Sequence, residues 1–333
     1  MKTSIRSHRD GLCRLRPPDL SGERGVALVI VLLIVAILVS LVTHFTYGAR
    51  VELALAGQTL DLMNADHLLL SGYQLGVQVL QRDSNEYDAS TELWGRTDLL
   101  AAGVSMLSET GTVLGEITDE DAKINLNMLV DDLGKIQEYE EEQLRRLFDI
   151  LELDQAPVET LFDWLDGDDL VRPGGAESLY YNREKPPYAC ANGPLETLNQ
   201  LRLVKGWTHE LLFGTDQKKG LMPFLTLHND GRININTASA EVLRSLDDAI
   251  DGALALEIVS FRESEPFKTK RDLKNVPGMT DQLYARILSR ITVQSNHFSI
   301  RIRAGQGTAN VNLSAVVKRS GGLVAPVYWR LGS

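Results

Sequence analysis

From Val26 to Val42 every residue is apolar except Ser40, and none carries a charge. At 1.5 Å per helical residue this run reaches about 26 Å, close to the hydrocarbon thickness of a bilayer. The helical pattern does not stop there, because Tyr47 to Arg82 holds helix formers and no proline. Leu53, Ala56, Leu60, Met63, Leu70 and Val77 follow alternating steps of three and four, with His67 and Gln74 in the same row, which predicts one stripe facing a core. A single helix from Val26 to Arg82 would be about 85 Å long. Its glycines at 48, 57, 72 and 76 read either as loose points or as points of close packing.

After the polar break DSNEYDAS the period changes. Gly103–Ser108 and Thr112–Thr118 read as a hairpin around Glu109-Thr110-Gly111. Ile136, Tyr139, Leu144, Leu147, Phe148 and Leu151 then recur at helical spacing, and Pro157 opens a further short helix at a favoured early position. From Asp166 to Pro194 the chain is a long loop rich in Gly, Pro, Asp and Tyr, a length that in compact domains goes with function or an ordering ion. A helix resumes at Leu195. Asn236 or Thr237 can cap the next helix, Pro277-Gly278 makes a tight turn, and Asp281 begins another helix. Ile124-Asn125-Leu126-Asn127 weakly echoes Ile233-Asn234-Ile235-Asn236, which suggests two related units in the helical region. The tail alternates over Phe298, Ile300 and Ile302 and again over Val311 and Leu313, predicting antiparallel strands that complete the sheet begun after residue 100.

Composition adds a size and a compartment. With 333 residues and 44% apolar content the chain can bury a sizeable core. The first 25 residues hold six of the 34 Lys/Arg and three of the 45 Asp/Glu, which leaves the remainder near a charge of about −14. Basic residues before the apolar run keep that end cytoplasmic by the positive-inside tendency and send the rest across the membrane. Such an acidic body repels nucleic acid and suits divalent cations and basic partners. Cys13 lies in the leader, so Cys190 is left alone and forms no disulfide within the mature chain.

The junction at Gly25 and Val26 narrows the reading. A secretory signal peptide is the competing interpretation, yet the apolar run is long for one and no A-x-A type cleavage site follows it. A charged leader ending in Gly25, with Val26 starting an apolar helix, resembles the junction of type IV pilin and type II secretion pseudopilin precursors. That resemblance implies cleavage after Gly25 by a prepilin peptidase and methylation of the new N-terminus. Those families usually carry Glu at the fifth mature position, where it meets the N-terminal amine of a neighbouring subunit; here that position is Ile30. A buried carboxylate without its partner costs several kcal/mol, so a subunit with nothing ahead of it does better with an apolar residue. Together with the size and the Gly175-Ala176-Glu177-Ser178 and Tyr180-Tyr181 loop, the chain resembles the minor pseudopilin K of type II secretion systems.

The resemblance implies an α+β fold, a pilin-like long N-terminal helix packed on an antiparallel sheet, with a large all-α insertion containing helix-hairpin-helix-like segments. The expected domains are a leader at 1–25, the transmembrane and pilin helix with the first strands at 26–126, the helical insertion at 127–289, and the completing strands at 290–333. The family role implied is that of a tip subunit which initiates or caps the fibre. Its implied partners are the minor pseudopilins I and J, with H and the major pseudopilin as further candidates, beside the inner membrane and the periplasm. The resemblance also implies that relatives can carry a disulfide near the acidic loop, which the lone Cys190 does not allow within the mature chain.

No nucleophile with a base and orienter, no metalloprotease motif and no phosphate loop stands out, so the chain reads as no enzyme. Asp163, Asp166, Asp168, Asp169 and Glu177 supply hard oxygen ligands, three of them at relative positions 1, 3 and 12 as in a calcium loop. Leu170 and Val171 occupy positions where an EF-hand needs a ligand and a glycine, so it is no EF-hand; a merely solvated acidic loop is the alternative. Calcium sites in the family favour Ca2+ as the implied cofactor. A second function competes: Gly231–Ile291 resembles helix-hairpin-helix segments of DNA-uptake receptors, and Lys268, Lys270, Arg271 and Lys274 form a local basic cluster. A DNA-binding minor pilin is therefore the other reading, against which stand the acidic body and the missing second hairpin glycine after Gly278.

Overall fold

A computed structural model describes residues 21–83, 86–96, 111–131 and 133–332. The leader cleavage call at 1–25 thus lies largely outside the described residues, as does the expected strand at 103–108. The chain forms two compact units that divide after Leu60. In the first, helix α1 (Ser21–Arg82) runs without a break through the apolar stretch, with Val26–Val42 exposed throughout. Thr43 and Thr46 return their hydroxyls to the carbonyls of Val39 and Val42, both at 2.7 Å, which satisfies those groups within the helix itself.

In the second unit the last turns of α1 lie on a four-stranded antiparallel sheet of order β1-β6-β7-β8, with β1 at Thr112–Asp119, β6 at His297–Gln306, β7 at Ala309–Ser320 and β8 at Leu323–Gly332. The alternation expected of the tail sets Phe298, Ile300, Ile302 and Ala304 on the inner face of β6, opposite Val317, Ala315, Leu313 and Val311 of β7. The helix stripe is not the one its spacing suggested. Ala65, Leu68, Leu69, Gly72, Tyr73, Gly76, Val77 and Leu80 are buried, whereas Leu53, Leu60, Met63 and Leu70 are exposed, so only Val77 of the expected row faces the sheet. The reason is close approach. A Cβ on Gly72 would stand 3.0 Å from Ile302 Cγ2, and one on Gly76 3.3 Å from Ile300 Cγ2, so the glycine row turns toward the strands. Nothing comes within 4 Å of a Cβ on Gly48 or Gly57.

Between β1 and β6 the chain builds a second core from two copies of one unit. The first joins β2 (Ile124–Asn125) in parallel to β3 (Leu225–Thr226), and the second joins β4 (Ile233–Asn234) in parallel to β5 (Ile291–Thr292). In each copy the first Asn of the echoed motif turns its chain: Asn125 Oδ1 accepts from Asn127 N–H, and Asn234 Oδ1 from Asn236 N–H, both at 2.9 Å. The second Asn clamps a distant backbone residue through both ends of its amide, Asn127 on Leu195 and Asn236 on Phe267. Past each clamp comes a 3-10 segment, then Gly206 or Gly278 at positive φ, then Thr208 or Thr280 capping a short helix. Those helices are α5 (His209–Phe213) and α8 (Asp281–Ile287).

The helices ahead of each clamp are α2 (Glu138–Ile150) and α3 (Ala156–Leu165) in the first copy, and α6 (Ala240–Ser245) and α7 (Gly252–Ser264) in the second. The copies meet at α2 and α6, where Arg146 and Tyr139 donate to the carbonyls of Ser245 and Leu246. Asn236 and Thr237 do not cap a helix as their position suggested. Asn236 holds Phe267, Thr237 donates to Asp119, and Ser239 caps α6 instead. The largest difference between the copies lies after the second helix of each. Where the second passes from α7 to Phe267 through Glu265 and Pro266 alone, the first carries the whole acidic loop, residues 166–194.

A buried carboxylate group ties this helical region to the sheet. Asp119 Oδ2 accepts from Asn234 Nδ2, Thr237 Oγ1 and Ser295 Oγ, while Asp88 accepts from Ser295 N–H and from Arg319. Burial pushes both carboxyls up to about 7, more than Arg319 lowers Asp88 and more than the hydroxyls lower Asp119.

Candidate metal centre

Three of the five acidic residues expected to act together do meet. Asp163 projects from the last turn of α3, Asp166 ends that helix, and Glu177 arrives at the start of the short helix α4 (Ser178–Tyr181). One carboxylate oxygen from each lies within 4.8 Å of the others, and the residues are 0%, 9% and 2% exposed. Asp168 and Asp169 stand apart: Asp168 accepts from Leu170 N–H at 2.7 Å, and Asp169 accepts from Asn192 Nδ2 at 3.3 Å. Relative positions 1 and 12 of the loop thus converge, and the third acid comes from the preceding helix instead of from position 3.

The loop is held by its own residues. Arg172 donates its backbone N–H to Asp163 and its side chain to Glu159 of α3 at 3.0 Å, and Arg145 of α2 bonds the other oxygen of Glu159. Tyr181, fully buried, meets Trp164 edge-on and Tyr188 at a tilt, and Lys205 of the hairpin reaches the carbonyl of Gly175 at 3.2 Å. Gly175 closes the wall. A Cβ there would lie 2.0 Å from Asp163 Oδ2, so any side chain would enter the carboxylate's place. The spacing of acids gave no sign of Gly175 or of the Arg172–Glu159–Arg145 bracket; the adjacent Gly174 and Gly175 were the one available signal.

The charges are poorly compensated by protein. Both Glu177 oxygens and Asp166 Oδ1 are buried without a hydrogen-bond partner. Burial, reinforced by the neighbouring acids, pushes Glu177 up to about 7 and Asp166 up to about 6, and burial also raises Asp163. Buried orphan oxygens of hard carboxylates, gathered from three directions, are the donor set of a divalent cation. These residues therefore fit calcium. Cys190 adjoins the site, its thiol donating to the carbonyl of Asp163 at 3.4 Å, and burial pushes its pKa up to about 12, which keeps it a thiol and no ligand for a hard ion.

Two members of the basic cluster of the second hairpin are engaged internally, while Lys268 and Arg271 are exposed. Lys274 pairs with Asp281 at 2.5 Å and lies over Tyr284, and Lys270 donates to the carbonyl of Leu288 at 3.0 Å. In the first copy, Lys205 is taken up by Gly175 and Tyr180. At the other end of the chain, Gly25 and Val26 lie within the exposed part of α1, with nothing within 4 Å of a Cβ on Gly25.

A long N-terminal helix whose last turns lie on an antiparallel sheet defines a pilin-like class. Sequence profiles described as type II secretion system (T2SS), protein K match residues 122–228 and 233–294, the two copies of the repeated unit. The type II secretion system protein K of Pseudomonas aeruginosa is 32% identical over 75% of this chain and 76% of its own length. That of Aeromonas hydrophila is 28% identical over 91% and 95%. The crystal structure of the GspK-GspI-GspJ complex from enterotoxigenic Escherichia coli matches with a TM-score of 0.67 at 18% identity, covering 84% of this chain and 99% of that one. The chain belongs to the type II secretion system protein K family, the minor pseudopilins of that pathway. Among the described residues one helix is long and apolar enough to cross a membrane, consistent with a single-pass protein of the inner membrane.

Proposed function

We propose that this protein is the tip subunit of a type II secretion pseudopilus, where it initiates and caps the fibre and has no catalytic role. The observation that carries this reading is Ile30 at the fifth position after Gly25. A subunit without a carboxylate there has nothing to offer the N-terminal amine of a subunit ahead of it, and the helical region from Ile124 to Thr292 adds bulk that such a subunit would have to clear. Prepilin peptidase cleaves after Gly25 and leaves Val26 as a methylated N-terminus, with the body on the periplasmic side. The partners are the pseudopilins I and J, as in the solved relative's complex, with H and the major pseudopilin adjoining. The exposed row Leu53, Leu60, Met63 and Leu70 supports helix pairing with them.

Calcium is part of the same proposal. Asp163, Asp166 and Glu177 hold the ion, with Asp168 and Asp169 at its margin, and its charge orders the acidic loop against α3. Free calcium should raise the melting temperature and slow proteolysis of residues 166–194, with magnesium a poor substitute because it demands a tighter octahedron. Absence of any calcium or chelator effect would remove the ion from this account. The tip assignment is tested by co-purification with I and J and by immunolabelling of fibres. A one-to-one-to-one complex at fibre ends is expected, and label along the shaft would refute the cap. Mass spectrometry of the membrane-extracted protein should find Val26 at the N-terminus.

A further inference from the structure

The sheet presents more inner face than α1 covers. Strands lie about 4.8 Å apart and packed helices about 8–10 Å apart, so one helix covers roughly two strands and four strands have room for two helices. α1 sits over β1 and β6, with Gly72 against Val113 and Ile302 and Gly76 against Ile117 and Ile300. β8 is left over. Register assigns its inner residues: Leu331 lies opposite buried Leu313, Trp329 opposite buried Ala315, and Pro326 opposite buried Val317. Yet Leu331 is 60% exposed and Trp329 39%, and Pro326 is exposed as well. The facing wall is α1. Tyr73 meets Trp329 edge-on with ring centroids 4.7 Å apart, and Leu70 and Asp66, exposed one and two turns earlier, continue the same side of the helix. Helix and edge strand thus enclose an open apolar trough.

We propose that this trough receives the N-terminal helix of a different membrane-anchored subunit, one that bears an apolar stripe and a basic side chain opposite Asp66. The inference rests on the pseudopilin reading above, from which the partner class is taken, and assigns the surface that such a partner uses. A strand is a poor occupant, because Pro326 lacks an N–H and the irregularity between Val316 and Val317 breaks the regular edge of β8. The other described helices pack into the second core and leave the trough vacant. A second copy is disfavoured by charge: anchored in the same direction, it would set Asp66 against Asp66 in a chain of net charge −11.

The test uses the full chain in membranes, co-produced with the pseudopilins I and J of the same system. A photo-crosslinking residue at position 331 should couple to the N-terminal helix of I or J, while one at Ala325, on the outer face opposite Lys318, should not. Trp329→Arg should cut co-purified partner at least ten-fold at an unchanged melting temperature, and Leu331→Lys gives the same reading should the first variant fail to fold. Wild-type co-purification in both variants, or crosslinks from 331 to a second copy of this chain, would overturn the trough alone. Failure of the unmodified chain to co-purify with either partner would overturn the partner reading, and this assignment with it.

Discussion

At the scale of single residues, two acidic groups of atoms behave differently because protein compensates one and not the other. Asp119 has four donors on it and Glu177 has none from hydrogen-bonding side chains or backbone. Replacing Asp119 by Ala would strand the donors of Asn234, Thr237 and Ser295, and should lower unfolding free energy by about 3 kcal/mol in urea titrations. The pH dependence follows from the raised carboxyls. Asp88 and Asp119 titrate near 7 in the folded chain and near 4 when unfolded, so between those values the folded state holds protons that the unfolded state has released. Stability therefore falls as pH rises from about 4 to about 7. In chelator the melting temperature should be higher at pH 5.5 than at pH 7.5, and Asp119→Asn should flatten that slope. At the loop, Gly175→Ala drives a methyl into Asp163 and should abolish the calcium-dependent rise in melting temperature while leaving the chelated protein folded.

Elements show why a periodic pattern needs a partner before it can be phased. The apolar row from Leu53 to Leu70 has the spacing of a core stripe, and the true inner row contains two glycines that no hydrophobic count would select. Gly72→Val should destabilise the pilin-like unit by about 1–3 kcal/mol through overpacking against Ile302. Gly57→Ala, with nothing near its Cβ, should be neutral or stabilise by up to about 1 kcal/mol. Thermal unfolding of the two variants side by side separates these cases. The repeated motif was more legible. Ile-Asn-Leu-Asn and Ile-Asn-Ile-Asn share a pattern because each Asn has the same work, one turning its own chain and one clamping another segment. What stayed hidden was that the long loop is an addition to the first copy alone, since 29 residues rich in Gly, Pro and Asp give no sign of it until Leu195 and Phe267 are seen in equivalent places.

For the whole molecule, the helical region has the hairpins of a nucleic-acid scaffold with part of their positive charge taken up within the chain. Lys274, Lys270 and Lys205 are engaged within the chain, and the net charge is −11. The protein should show no salt-dependent DNA binding at 50 mM salt, and measurable affinity that falls with added salt would revive the uptake-receptor reading. The membrane helix, the antiparallel tail and the region of the acidic site could all be read from the chain, because each rests on composition or short-range period. An uncharged run of 17 residues, apolar but for Ser40, leaves few other structures, and alternation leaves a strand little choice of face. Which face of α1 meets the sheet, which acids meet one another, and that β8 keeps an uncovered inner face were decided by tertiary structure. Those outcomes depend on the approach of segments more than a hundred residues apart, on the space a missing Cβ allows, and on the width of a helix against the spacing of strands.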